Sequence, residues 1–251
     1  MKLLELFIIE TTEEDRAIIS LSSTIYRHLQ KYADYIDPSS TDPLNTGKID
    51  DFCTTPLEGM GDISIFLMQG DSLREKVKKD NNNPENIDSK GKVILGVWYN
   101  DIPGIFLNSD YITSNAIKST ITHELRHALD DLKSGGRASL STKYSSPKKK
   151  EYRKKDPDTG EDNSYIARPE EINARFAQVL HSLTLQIERM SHLPPDQLWQ
   201  KSLLALKQSM NVYKISKLFP EKEKSSDYKR LMKRAADFIK KEINYLSKES
   251  F

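Results

Sequence analysis

The sequence predicts an α+β fold, with helices towards both ends of the chain and a few short strands between them. Apolar side chains recur every three or four residues over long stretches near both ends, which is the spacing of amphipathic helices. In between, Val93–Tyr99 and Ile105–Asn108 are short apolar runs. A turn rich in Asn, Asp, Pro and Gly separates them, which is typical of two strands in a hairpin.

Composition narrows the function classes. The chain has 251 residues, of which 37% are hydrophobic and 30% charged, and this suits a soluble protein of one large or two small domains. Its net charge of +1 gives no reason to expect nucleic acid or an anionic membrane as a partner. The single cysteine, Cys53, excludes an intrachain disulfide. Without a signal peptide or a bilayer-spanning apolar run, we expect a cytoplasmic or virion-associated protein.

The first third of the chain is predicted to contain one long helix. The short apolar segment Met1–Glu10 is interpreted as a strand or a segment that docks onto a larger assembly. Thr11 is placed to cap a helix that runs to about Ile36, where Asp37-Pro38 ends it. Residues 38–62 are rich in Asp, Thr, Pro and Gly and are predicted to form loops, and Ile63–Met68 is predicted to be a strand or the core of a short helix.

The rest of the chain is predicted to be mainly helical. One helix begins near Thr113–Asn115 and ends at Gly135-Gly136, which can supply a left-handed C-cap. Residues 137–168 are predicted to be an irregular insertion that includes the basic cluster Lys148–Lys155. Three further helices follow, predicted over Glu170–Met190, Asp196–Met210 and Asp227–Lys248.

The predicted helix after the hairpin carries the pattern H-E-x-x-H at His123, Glu124 and His127. Two histidines four residues apart project from one face of a helix, so both can reach a single zinc ion. Glu124 lies about 100° further round the helix, beside the metal and not on it. A surface helix with two histidines is the competing interpretation, and the preceding strand and the apolar stripe of the helix argue against it.

A third ligand is needed, because catalytic zinc sites usually have three protein ligands and an open position. Glu171, in the first turn of the helix after the insertion, is the first choice. Glu170 and Asp130 are the alternatives. Acidic residues also favour the first turn of any helix because of its dipole, so the Glu170-Glu171 pair alone does not identify a ligand.

These residues resemble the zincin metallopeptidases, and specifically the gluzincins, whose third ligand is a glutamate on a downstream helix. The resemblance implies a small twisted sheet, the HExxH helix and a glutamate helix. It also implies a peptide substrate that adds to an edge strand, for which Ile105–Asn108 is the candidate. Glu171 is followed three residues later by Ala174, as is common in such helices. Arg175 departs from the thermolysin-like pattern, and the metzincin pattern is absent.

The resemblance implies amide hydrolysis, with Zn²⁺ as cofactor and a protein or peptide as substrate. Zinc activates its bound water and polarises the scissile carbonyl, and Glu124 acts as the general base. Tyr165 is the candidate donor to the oxyanion. Asp130 and Asp131, one turn after His127, are candidates to accept a hydrogen bond from a histidine ring.

The leading hypothesis is therefore a zinc-dependent peptidase. The alternative is a structural or scaffolding protein, such as a phage accessory or virion protein, that retains a zincin domain with little or no turnover. A toxin-like peptidase is a third hypothesis. We predict a metallopeptidase domain over residues 1–192, with the insertion 137–168 inside it, and a C-terminal helical extension over residues 193–251.

Overall fold

The computed structural model describes residues 12–33, 40–52, 60–80, 93–99, 101–133, 169–219, 222 and 224–249. Within these ranges a four-stranded mixed sheet accompanies seven α-helices, which confirms the α+β class. The helices are α1 (Thr12–Leu29), α2 (Gly70–Asp80), α3 (Asn115–Lys133), α4 (Pro169–Arg189), α5 (Pro195–Val212), α6 (Ile215–Leu218) and α7 (Ser226–Glu249). The strands are β1 (Leu44–Lys48), β2 (Ser64–Met68), β3 (Gly96–Tyr99) and β4 (Gly104–Asn108).

The chain divides into two compact units. The sheet unit is Ser20–Gly136, and the helical unit combines Met1–Ile19 with Arg137–Phe251. The boundary near residue 20 falls within α1, which contributes to both units. The sequence-based division at residues 192 and 193 stays a prediction.

The sheet has the strand order β1-β2-β4-β3. Strands β1 and β2 are antiparallel, β2 and β4 are parallel, and β4 and β3 are antiparallel. The prediction that Ile105–Asn108 is an edge strand is wrong, because β4 lies between β2 and β3 and all five of its residues are buried. Among the described strands, β1 and β3 end the sheet.

A helix covers each face of the sheet. On one face, Leu73 and Val77 of α2 join Met68 and Phe106 in a buried apolar cluster. On the other face, α3 contacts β3 and β4. Gly96 of β3 makes this contact close, since a Cβ atom there would lie 2.6 Å from Thr120 Cγ2. The sheet therefore holds α3 against the strand at its edge.

The helical unit has its own apolar core, formed mainly by α4, α5 and α7. Phe176, Leu180, Leu206 and Phe238 are fully buried within it. Arg234 forms a two-armed ion pair with Asp15 in which Nε donates to Oδ2 at 2.8 Å. Because both side chains are buried, each charge depends on the other for compensation.

Most of the predicted elements are confirmed where the structure describes them. Ile63–Met68, predicted as a strand or the core of a short helix, contains β2, and the two runs predicted as a hairpin contain β3 and β4. The helices on both sides of the insertion also form. The loop prediction for residues 38–62 is wrong at Leu44–Lys48, which pairs with β2 as β1. The helix predicted to reach Ile36 ends at Leu29 and continues as a 3₁₀ turn over Gln30–Tyr32.

Some predictions lie outside the described residues. They concern the N-terminal segment and the Thr11 cap, Cys53, the Gly135-Gly136 stop, and the insertion with its basic cluster and Tyr165. Among the helices that the structure describes, none is both long enough and apolar enough to cross a membrane.

Candidate metal centre

Helix α3 presents the two histidines of the HExxH pattern side by side. Its apolar residues recur at helical spacing and are buried, among them Ile117, Ile121 and Leu125. This fixes which face of α3 turns away from the core. The Nε2 atoms of His123 and His127 lie 3.0 Å apart, and their rings meet edge to face with centroids 4.6 Å apart. The two nitrogens therefore converge on one point.

Glu171 brings a carboxylate from the first turn of α4. This helix begins at Pro169, whose fixed φ suits a first helical position. Glu171 is buried, whereas its neighbour Glu170 is half-buried. Acidic residues in the first turn of a helix are usually exposed to solvent, and Glu171 differs because it is buried. A buried carboxylate that is ionised needs a cationic partner or a metal ion.

The ligand atoms of His123, His127 and Glu171 all lie within 4.8 Å of one another. Among the described residues, this potential metal-binding group contains Glu171 and neither Glu170 nor Asp130. The choice of Glu171 as the third ligand stays a prediction. The group itself does not specify which metal it would hold.

The arrangement of donor atoms fits a small metal ion. Two nitrogens bound to one tetrahedral zinc at about 2.0–2.1 Å lie roughly 3.3 Å apart. The observed 3.0 Å between the two Nε2 atoms is close to that value. A hydrogen bond between the two rings would also account for the distance, provided that one Nε2 carries a proton and the other does not.

Glu124 is buried beside the edge strand. It is 6% exposed, and a Cβ atom built on Gly96 would lie 3.4 Å from its Cγ. The absence of a side chain at Gly96 lets β3 approach α3 closely at this point. Glu124 thus occupies the space between α3 and β3, next to His123 in sequence.

The two aspartates after His127 have clear partners. Asp130 forms a 2.6 Å ion pair with Arg126, one turn earlier on α3, and both side chains are buried. Asp131 accepts a hydrogen bond from Trp98 Nε1 at 3.4 Å, which links α3 to β3. The predicted role of either aspartate in holding a histidine ring stays a prediction.

Three residues near the site were not assigned by sequence reasoning. Gly96 and Trp98 on β3 contact α3 directly, and Arg175 lies 3.8 Å from Glu171. The strand residues carry no motif, because their role arises from the pairing of β3 with β4. Arg175 had a readable signal, since it stands four residues after Glu171 and therefore on the same face of a helix.

Comparison of the chain with protein-family models, with curated proteins and with solved structures found no match.

Proposed function

We propose that this protein is a zinc-dependent peptidase in which His123, His127 and Glu171 hold the metal and Glu124 is the general base. The observation that carries the proposal is the convergence of three ligand atoms within 4.8 Å. Glu124, buried next to the first of these ligands, adds the group that hydrolysis requires.

The choice of zinc rests on the donor atoms. Two imidazole nitrogens and one carboxylate oxygen are the ligands of many catalytic zinc sites, which leave a fourth position open. Magnesium and calcium prefer oxygen ligands, so a site with two histidines does not suit them. Copper and nickel also bind imidazole, and only a measurement of bound metal separates them from zinc.

Bound zinc would act as a Lewis acid that activates water and polarises the scissile carbonyl. The residues of the chain then have separate tasks. The Glu124 carboxylate accepts a proton from the attacking water and delivers it to the nitrogen of the leaving amine. Its burial keeps bulk water from competing for that proton. Tyr165 remains the sequence-based candidate for stabilising the developing oxyanion.

The corrected strand order changes where a peptide would lie. Next to the β3–β4 pair, Asn108 N donates to Leu95 O. From that pair onward, hydrogen-bonded and non-hydrogen-bonded residue pairs alternate along the two antiparallel strands. The N–H and C=O groups of Gly96 and Trp98 are therefore directed away from β4. Those groups can pair with an extended peptide, which would add to the sheet next to Glu124.

Replacement of one side chain tests the catalytic assignment. The change Glu124→Gln keeps the size of the side chain and removes its basicity. We expect the variant to keep its zinc and to cleave a generic peptide mixture about 10²–10⁴-fold more slowly. Glu170→Gln makes the same chemical change outside the metal-binding group and should leave cleavage unchanged. Equal activity of the two variants would contradict the role of Glu124.

A further inference from the structure

Arg175 stands beside the proposed metal ligand Glu171 without binding it closely. Its Nε is 3.8 Å from Glu171 Oε2, which is an ion-pair distance and too long for a hydrogen bond. The Nε atom is buried, and within the described part of the chain it makes no hydrogen bond. The side chain as a whole keeps 23% of its surface exposed. The guanidinium is therefore adjacent to the ligand carboxylate, and part of the Arg175 side chain is accessible from solvent.

Two other arginines of this chain, both buried, lie closer to their carboxylate partners. Arg234 donates two hydrogen bonds to Asp15, and Arg126 Nη2 lies 2.6 Å from Asp130 Oδ1. Each of these pairs closes to hydrogen-bond distance, because a buried cationic donor that makes no such bond is costly. Arg175 does not approach Glu171 to hydrogen-bond distance. An arginine that only neutralised this carboxylate would be expected to form a hydrogen bond with it.

The position of Arg175 also limits what the second group can be. Glu171 belongs to the proposed metal-binding group, so a molecule that binds Arg175 would lie close to a metal held there. A guanidinium presents parallel N–H donors whose geometry matches the two oxygens of a carboxylate. It does not provide a hydrogen-bond acceptor, so a cationic or purely donating group is excluded.

We propose that Arg175 binds a carboxylate of the substrate close to the peptide bond that is cleaved. The inference rests on the proposed function and deepens it by naming the substrate class as peptides with such a carboxylate. The carboxylate comes from the free C-terminus of the peptide or from an acidic side chain, and the binding chemistry is the same for both. Arg175 then determines specificity, separately from the residues that hold the metal.

Binding to a protein that cannot turn over separates this role from catalysis. The zinc-loaded Glu124→Gln protein is titrated by calorimetry with three hydroxamate-capped dipeptides. The first ends in a free carboxylate, the second ends in an amide, and the third ends in an amide but carries a glutamate side chain. The same titrations are repeated with two double variants, in which Glu124→Gln is combined with Arg175→Gln or with Arg175→Lys. Zinc content is measured for each protein.

We expect one of the two carboxylate probes to bind at least about tenfold more tightly than the neutral amide. Which of them does so identifies the source of the carboxylate. The Arg175→Gln change should remove this preference while zinc content and binding of the neutral probe stay within about threefold. The Arg175→Lys change should keep part of the preference, because it retains the charge but not the paired donors.

Three results would overturn the inference. Equal affinity for the three probes, or a preference that survives Arg175→Gln, would show that Arg175 does not select a carboxylate. Loss of zinc in both Arg175 variants would show that it serves only to hold Glu171. In each of these cases the proposed peptidase function is left standing, because it is judged by zinc in the unaltered protein and by the Glu124→Gln cleavage assay. Absence of zinc from the unaltered protein would overturn both.

Discussion

At the level of single residues, Gly96 determines how closely the edge strand β3 approaches α3, the helix of the candidate metal site. A Cβ atom there would lie 2.6 Å from Thr120 Cγ2, 3.1 Å from Leu107 Cδ2 and 3.4 Å from Glu124 Cγ. The first of these distances is shorter than real Cβ contacts allow, so a methyl group would force β3 and α3 apart. Glu124 would shift with them.

We therefore expect Gly96→Ala to lower the free energy of unfolding by about 1–3 kcal/mol and to reduce kcat/KM as well. Gly104→Ala is the matched control, since the three atoms nearest to a Cβ atom there belong to Phe66 and Ile102, with Phe66 Cε2 at 2.8 Å. The control should lose stability but keep its activity per folded molecule. Urea denaturation and peptide cleavage measure the two effects. Equal activity losses in both variants would contradict the account of Gly96.

The residue scale is also where sequence reasoning about the site was most informative. His123, Glu124 and His127 are adjacent in one short pattern, and a helix converts their spacing directly into a shared face. Glu171 could be selected as a candidate because it lies in the first turn of a second predicted helix. Gly96 and Trp98 were not found, because their contacts with Thr120 and Asp131 depend on which strand ends the sheet.

At the level of secondary-structure elements, α1 and α7 are joined by charged side chains. Asp15 pairs with Arg234, and Arg16 Nε lies 2.6 Å from Glu242 Oε1. Burial raises the pKa of Glu242 from its usual value of 4.5, and the nearby Glu188 raises it further, although Arg16 acts in the opposite direction. The loss of hydration at Glu242 thus outweighs the ion pair.

This shift predicts a pH dependence with a definite sign. The folded protein takes up a proton at Glu242 at a higher pH than the unfolded chain does, so protonation favours the folded state. As pH falls from 7.5 towards 4.5, the wild-type protein should gain stability relative to Glu242→Gln, which cannot titrate. Urea denaturation of both proteins across that range measures the difference. A difference that is flat, or that grows in the opposite direction, would contradict the raised pKa.

Elements with a clear internal pattern were predictable, and elements defined by their neighbours were not. The α3 and α4 helices follow from apolar residues at helical spacing. By contrast, β1 has the sequence LNTGK, which carries little strand propensity and includes Gly47 at a φ of 135°. It is a strand because β2 offers it a hydrogen-bonding partner. The central position of β4 likewise depends on its parallel pairing with β2, some 40 residues away in sequence.

At the level of the whole molecule, a bound metal should contribute to stability. A ligand that binds only the folded state stabilises it by about 2.7 kcal/mol at a free concentration one hundred times its Kd. For a protein of this size we expect chelation of the metal to lower Tm by roughly 5–10 °C. Differential scanning calorimetry with and without a chelator measures the change. His127→Ala should show no such response, and an equal response in that variant would mean that the metal binds elsewhere.

The pairing of distant apolar faces could not be read from the sequence. Residues of α4, α5 and α7 share one apolar core. Residues such as Phe176 and Phe238 are equally apolar wherever they pack, so their pattern predicts two buried faces without saying that they face each other. Pairing of faces distant in sequence is a property of the folded chain.

The central claim is that His123, His127 and Glu171 form one zinc site, and metal binding tests it most directly. Zinc content of the purified protein is measured by elemental analysis, and affinity by competition with a chromophoric chelator. We predict about one zinc per chain, an affinity more than about 100-fold weaker in Glu171→Ala, and no such loss in the neighbouring Glu170→Ala. Protein that binds no zinc when it is supplied, or equal affinities in the two variants, would contradict the account.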